Sequence, residues 1–175
     1  AMADHTLDKL AAIIKSRRAE TGSTSYTRQL LDELDEVSSS VCARHGSQIP
    51  EVERLGRILH ELSAETRPHI FKEQHIIFPF IVQLEAQCER RGGAIVGTRP
   101  TISEPLAALV IEHEAIRVTL KDLRDTTNGF TPPAGARAEV CDLYSTLADL
   151  ESSIRQHIHI ENNVLFPRAR AFEAL

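Results

Sequence analysis

His157-Ile158-His159-Ile160-Glu161-Asn162-Asn163-Val164-Leu165-Phe166-Pro167 decides the fold of this chain, because His69-Ile70-Phe71-Lys72-Glu73-Gln74-His75-Ile76-Ile77-Phe78-Pro79 echoes it. Both stretches read H-x-x-x-E-x-x-x-[IL]-F-P. A spacing of four places the imidazole and the carboxylate on one helix face, a turn apart. Working outward, apolar residues lead into each pair at three- and four-residue steps: Leu55, Leu59 and Leu62 before His69, and Leu143, Leu147, Leu150 and Ile154 before His157. Both pairs therefore lie on the buried stripe of an amphipathic helix. A carboxylate buried there costs several kcal/mol unless it is paired or bound to a metal. A third stripe, Leu106, Leu109, Val110 and Leu120, carries His113. The candidate site is thus His69, Glu73, His113, His157 and Glu161, converging from three helices. Inward-facing imidazoles and carboxylates are the design of carboxylate-bridged di-iron sites in helix bundles. The donor types also suit Zn or Mn.

Glycine and proline clusters punctuate long periodic segments, and strand signals are nearly absent. The spacing predicts a short helix over residues 4–19 and four longer ones over 25–45, 51–90, 103–127 and 136–168. The expected fold is all-α, an antiparallel four-helix bundle with a short extra N-terminal helix. Residues 1–22 are read as that helix and a linker, and 23–175 as the bundle. Pro105 falls in a first turn, where proline is tolerated. Pro68 lies inside a helical pattern, so a kink is expected there.

The 175 residues are enough for one core, and the net charge of -5 with no basic run argues against nucleic-acid binding. No apolar run approaches the ~20 residues of a membrane span. The first residues lack the basic and hydrophobic regions of a signal peptide, so a cytoplasmic location is expected. Cys42, Cys88 and Cys141 are isolated, which excludes C-x-x-C chemistry. Of the 8 histidines, His5, His60, His75 and His159 fall off the stripes and are read as solvated or locally bonded.

The paired H-x-x-x-E-x-x-x-x-F-P motifs resemble the hemerythrin-like (HHE) cation-binding family. The stretch from Glu112-His113-Glu114 through Asn128-Gly129-Phe130-Thr131-Pro132-Pro133 and Tyr144 to His157–Ala169 is similar to the di-iron domain of RIC (repair of iron centres) proteins. The resemblance spans roughly residues 51–170. It implies His69, His113 and His157 as terminal ligands and Glu73 and Glu161 as bridges between two iron ions. It also implies a non-haem di-iron protein of nitrosative and oxidative stress, linked to repair of damaged Fe–S proteins, with O2, NO or H2O2 as small ligands. A hemerythrin-like carrier or sensor of O2 or NO, without catalysis, is the alternative. A structural bundle holding zinc or nothing is a third reading.

The sequence departs from that family in two places. The paired-cysteine motif of the RIC N-terminal domain has no counterpart, and the family's histidine on the first bundle helix is not evident. His45 and Cys42 are candidates for the sixth ligand. However, if the chain turns at residues 46–50, His69 lies about 18 residues beyond the turn, ~27 Å along the helix. Tyr26 stands near the level of His69 and continues the stripe Leu30, Leu34, Val37. Tyr26, an open position, and His45 or Cys42 remain the alternatives. Separately, Leu7–Ile14 with Ser23–Leu31 resembles the start of phosphoribosyl-ATP pyrophosphohydrolases, but Ser38-Ser39-Ser40-Val41-Cys42 stands where that family's acidic metal motif should follow.

Overall fold

The computed structural model describes residues 50–90 and 101–171, together with residues 28, 29, 31, 32, 35, 36 and 39, which are helical. The expected helix over 4–19, and with it Tyr26, Cys42 and His45, lies outside the described residues. Among those described, all regular structure is helical. Helix α1 (Pro50–Lys72) passes through a five-residue π-helical turn, Glu73–Ile77, into α2 (Phe78–Arg90). Helix α3 spans Ser103–Thr126. Helix α4 (Ala138–Ile160) passes through a second π-helical turn, Glu161–Leu165, into α5 (Phe166–Ala171). The three paths match the helices expected over 51–90, 103–127 and 136–168 closely, and α1 continues through Pro68.

The F-P tails explain the two π-turns. Proline cannot donate a backbone hydrogen bond, and its ring clashes with the carbonyl four residues earlier. The helix widens instead. The Phe78 N–H bonds the Glu73 carbonyl, and the Phe166 N–H bonds the Glu161 carbonyl, each five residues back. π-turns of this kind cluster at functional sites.

Two apolar clusters fill the interior. One joins Leu55–Leu62 of α1, Ile116–Leu123 of α3 and Leu143–Ile158 of α4, with Leu31 added from the first helical segment. The other joins Ile77, Ile81 and Leu84 with Ile102, Leu106 and Leu109, and with Leu165, Phe166 and Ala169. Helix α3 runs from the second cluster to the first, opposite to α1–α2 and α4–α5. His69–Glu73, His113 and His157–Glu161 fall at the junction of the two clusters on all three paths. The sequence stripe of α3 needs one correction: Val110 is 38% exposed and faces outward, while Leu106, Leu109, His113 and Leu120 are buried.

At the far end of α3, Arg124 ties α3 to α4. Its Nε donates to Glu151 Oε1 at 3.0 Å and its Nη2 donates to Oε2, while Arg155 Nε donates to Oε1 at 2.9 Å. Arg124 also lies over the Phe130 ring, 5.1 Å from its centroid. Phe130 follows Asn128 and Gly129 in a left-handed run, which the Gly129 N–H closes onto the Arg124 carbonyl. Burial alone would raise the Glu151 carboxyl, but the two guanidiniums hold it below the ordinary carboxylate range. A depressed carboxylate stabilises the fold above its ordinary pKa, and that contribution fades as pH falls through the folded value. Because both guanidiniums are half exposed, solvent screening limits the effect, so Glu151→Ala is expected to cost about 1–2 kcal/mol at neutral pH. The gap to wild type should narrow below pH 4 in urea unfolding. A gap that does not change with pH contradicts this account.

Candidate metal centre

His69, Glu73, His113, His157 and Glu161 are all buried, with both glutamates and His113 fully enclosed. The structure brings together all five residues that the sequence singled out. His69, Glu73, His157 and Glu161 each offer a ligand atom within 4.8 Å of the others. His113 Nε2 joins them, 2.9 Å from His69 Nε2 and 3.3 Å from Glu161 Oε2.

The carboxylates face two ways. Glu73 turns Oε1 toward His69 Nε2, at 3.0 Å, and His113 Nε2, at 3.8 Å, and turns Oε2 toward His157 Nε2, at 3.0 Å. Glu161 turns Oε2 toward His113 and Oε1 toward His157 Nε2, at 3.1 Å. One side of the cluster therefore holds two imidazoles and two carboxylate oxygens, and the other holds one imidazole and two oxygens.

Two further residues, which the sequence motif did not single out, fix the imidazoles. His69 Nδ1 donates to Glu112 Oε2 at 2.9 Å, and Lys72 Nζ donates to the other oxygen of the same carboxylate. His113 Nδ1 donates to Asn162 Oδ1 at 2.9 Å. With both Nδ1 atoms donating outward, the two rings turn Nε2 toward each other and toward the carboxylates. Glu73 Oε1 lies among them without a hydrogen bond of acceptable geometry. Imidazole nitrogens and carboxylate oxygens converging on one enclosed point are a ligand set for cations. The chemistry of the residues thus fits a metal.

Charge leads to the same conclusion. Burial would depress His113 and His157, yet Glu161 and Glu73 outweigh it and push them up to about 9 and about 10. Burial would likewise raise Glu73, but the imidazoles of His113, His157 and His69 beside it hold it well below the ordinary range. Two enclosed carboxylates demand positive charge at their centre, from protons or from metal.

Glu112 gives a direct test, because a carboxylate hydrogen-bonded behind an imidazole fixes the ring's orientation and raises its basicity toward a metal. Glu112→Ala is expected to weaken metal affinity ~10–100-fold in chelator competition. Unchanged affinity would deny Glu112 its orienting role.

The remaining described histidines stay outside the cluster. His60 is exposed. His75 is also exposed, its Nδ1–H donating to the Phe71 carbonyl at 3.0 Å and its ring stacking on the Phe71 ring. His159 pairs with Asn163.

This is a helical protein with a buried histidine–carboxylate cluster able to hold a metal. The family model of the hemerythrin HHE cation binding domain matches residues 25–169, and the chain belongs to that family. It is 29% identical over 183 residues to the iron-sulfur cluster repair protein YtfE of Yersinia pseudotuberculosis, covering 93% of this chain and 77% of the relative. YtfE of Yersinia pestis is similar to the same extent, at 29% identity and with the same coverage. A probable iron-sulfur cluster repair protein of Haemophilus influenzae is 26% identical over 181 residues, covering 93% of this chain and 75% of the relative.

Proposed function

We propose that this chain is a non-haem di-iron protein of the nitrosative and oxidative stress response, serving repair of Fe–S clusters by iron delivery or by NO or peroxide chemistry. The two-faced carboxylates are the observation that carries the reading: Glu73 and Glu161 each offer one oxygen to the His69–His113 side and the other to the His157 side. In this reading His69, His113 and His157 are terminal ligands, and Glu73 and Glu161 bridge two iron ions. The names of the relatives support Fe–S repair and damaged Fe–S proteins as partners. Residues 23–175 form an antiparallel four-helix bundle whose first helix includes the helical positions between 28 and 39, with residues 1–22 a short helix and linker. The sixth ligand remains open among Tyr26, His45, Cys42 and a vacant position. Among the described residues no helix is long and apolar enough to cross a membrane, which accords with a cytoplasmic role.

A di-iron pair, when bound, supplies reversible redox change and open coordination for a small ligand. The chain's own residues hold the site's shape. Glu112 and Asn162 fix the His69 and His113 tautomers, so each ring turns Nε2 inward. The apolar clusters above and below exclude bulk water and strengthen the electrostatics between the enclosed groups.

Anaerobic metal stoichiometry, with spectra before and after NO, tests this function. The expected result is two irons per chain, a spectral change with NO, and iron loss that restores a damaged Fe–S enzyme. A reversible, stoichiometric change without iron loss selects the carrier or sensor reading instead. An iron-reconstituted protein with no di-iron absorption rejects both.

A further inference from the structure

His69 and His113 are held from behind in different ways. His113 Nδ1 donates to Asn162, a neutral amide on the second π-turn, one residue from Glu161. His69 Nδ1 donates instead to the Glu112 carboxylate on α3, whose side chain is 33% exposed. A glutamate open to solvent has three side-chain torsions to sample and water to bond with. One hydrogen bond to an imidazole fixes such a side chain poorly.

Lys72 supplies a second hold. Its Nζ donates to Glu112 Oε1, while His69 takes Oε2. His69 and Lys72 are three residues apart on α1, so they share a face and grip one carboxylate of α3 between them. Each oxygen of Glu112 then has its own donor, and the bond from Lys72 is charged at both ends, the stronger kind. The lysine is not part of the repeated motif: the second H-x-x-x-E stretch has Ile160 at the matching position. As an ion pair, Lys72 with Glu112 contributes little to stability, because Lys72 is 40% exposed. Its consequence lies in the ring behind which the pair stands.

We infer that Lys72 is a positioning residue: by pinning Glu112 it keeps the His69 ring seated with Nε2 turned into the cluster, and so sets how tightly the His69–His113 side holds a metal. This role rests on the metal binding proposed for the cluster and adds a control point at the protein surface. The competing effect of the same lysine has the opposite sign. An ammonium near a cation site repels the cation, so a Lys72 that acted by its charge alone would weaken binding, and its removal would tighten it.

The test uses zinc as the probe, since imidazole and carboxylate donors suit it and it has no redox chemistry. Wild type, Lys72→Met, Lys72→Arg, Glu112→Ala and the double variant Lys72→Met with Glu112→Ala are compared in competition with a chelating dye. Lys72→Met is expected to bind zinc about 3–10-fold more weakly, because the freed glutamate regains its rotamers. Lys72→Arg keeps a charged donor and should stay within about twofold of wild type. Since Lys72 acts through Glu112, the double variant should bind no more weakly than Glu112→Ala alone. In zinc-loaded protein, the His69 Nδ1 proton followed by NMR should exchange with water faster in Lys72→Met and at the wild-type rate in Lys72→Arg, which reads the seating of the ring rather than overall stability. Tighter zinc binding in Lys72→Met, an unchanged exchange rate, or losses that add in the double variant each overturn the inference. Zinc bound equally well by wild type and Lys72→Met removes the role of Lys72 alone, whereas a wild type that binds no zinc overturns the metal reading and this inference together.

Discussion

Glu73→Ala is expected to drop the metal content below two per chain and to abolish most of the stabilisation that metal confers. The reason is the reach of this one carboxylate. Its Oε1 serves the His69 and His113 side and its Oε2 serves the His157 side, so a single truncation removes an oxygen donor from both. Wild type should lose several degrees of Tm on chelation, because a ligand that binds only the folded state stabilises it by mass action. Glu73→Ala should show little difference with and without chelator. The chelated variant is itself expected to be weaker than chelated wild type by about 3–5 kcal/mol, the usual consequence of removing one partner from a buried charge network. Glu114→Ala is the matched control. Glu114 adjoins His113 in sequence, but its side chain is 69% exposed and pairs with Arg117, so metal loading should not change. Undiminished loading in Glu73→Ala, read by elemental analysis, would remove the bridging assignment.

The five clustered residues were legible because helix periodicity alone places them. His69 with Glu73 and His157 with Glu161 share a face at a spacing of four, and His113 continues a stripe whose neighbours Leu109 and Ile116 are buried. Glu112 and Asn162 escaped for a physical reason. Each stands next to a clustered residue in sequence, and successive residues on a helix point ~100° apart, so no i, i+4 rule connects them to the site. Glu112 meets His69 on another helix, 43 residues earlier, and Asn162 meets His113 across 49. Only tertiary structure makes those pairs. Val110 went the other way: at the edge of the α3 stripe, one residue past Leu109, it looked buried to a periodic count and faces solvent. The F-P tails were visible as a repeat, but their consequence was not. Counting in steps of 3.6 does not register a turn that carries one extra residue. The Thr66 hydroxyl, buried and without a hydrogen-bond partner, had no sequence signal at all, since a threonine beside a stripe is ordinary.

Phe166→Ala carries the second large effect, and it tests what the second π-turn accomplishes. Phe166 is 1% exposed and belongs to the apolar cluster beyond the site, while its ring lies parallel to His113, 5.7 Å between centroids with 3° between the planes. The π-turn at Glu161–Leu165 sets the rotation at which the ring leaves the helix. An ordinary α-helical turn of one fewer residue would swing the ring by ~100° and off His113. Truncation to alanine is expected to destabilise by about 3–5 kcal/mol, combining lost burial with the cavity left behind. It should also loosen His113, because that ring would keep Asn162 on one edge but lose its flat support. Metal affinity in Phe166→Ala should therefore fall, whereas Phe166→Leu should recover most of the stability and less of the affinity. The echo supplies an internal comparison. Phe78 holds the same place in the first motif but is only partly buried, packed against the cluster's edge. Phe78→Ala should consequently cost less than half as much in urea unfolding. Equal losses for the two variants would mean that the phenylalanines act only as generic helix-packing residues, and that the parallel contact with His113 contributes nothing.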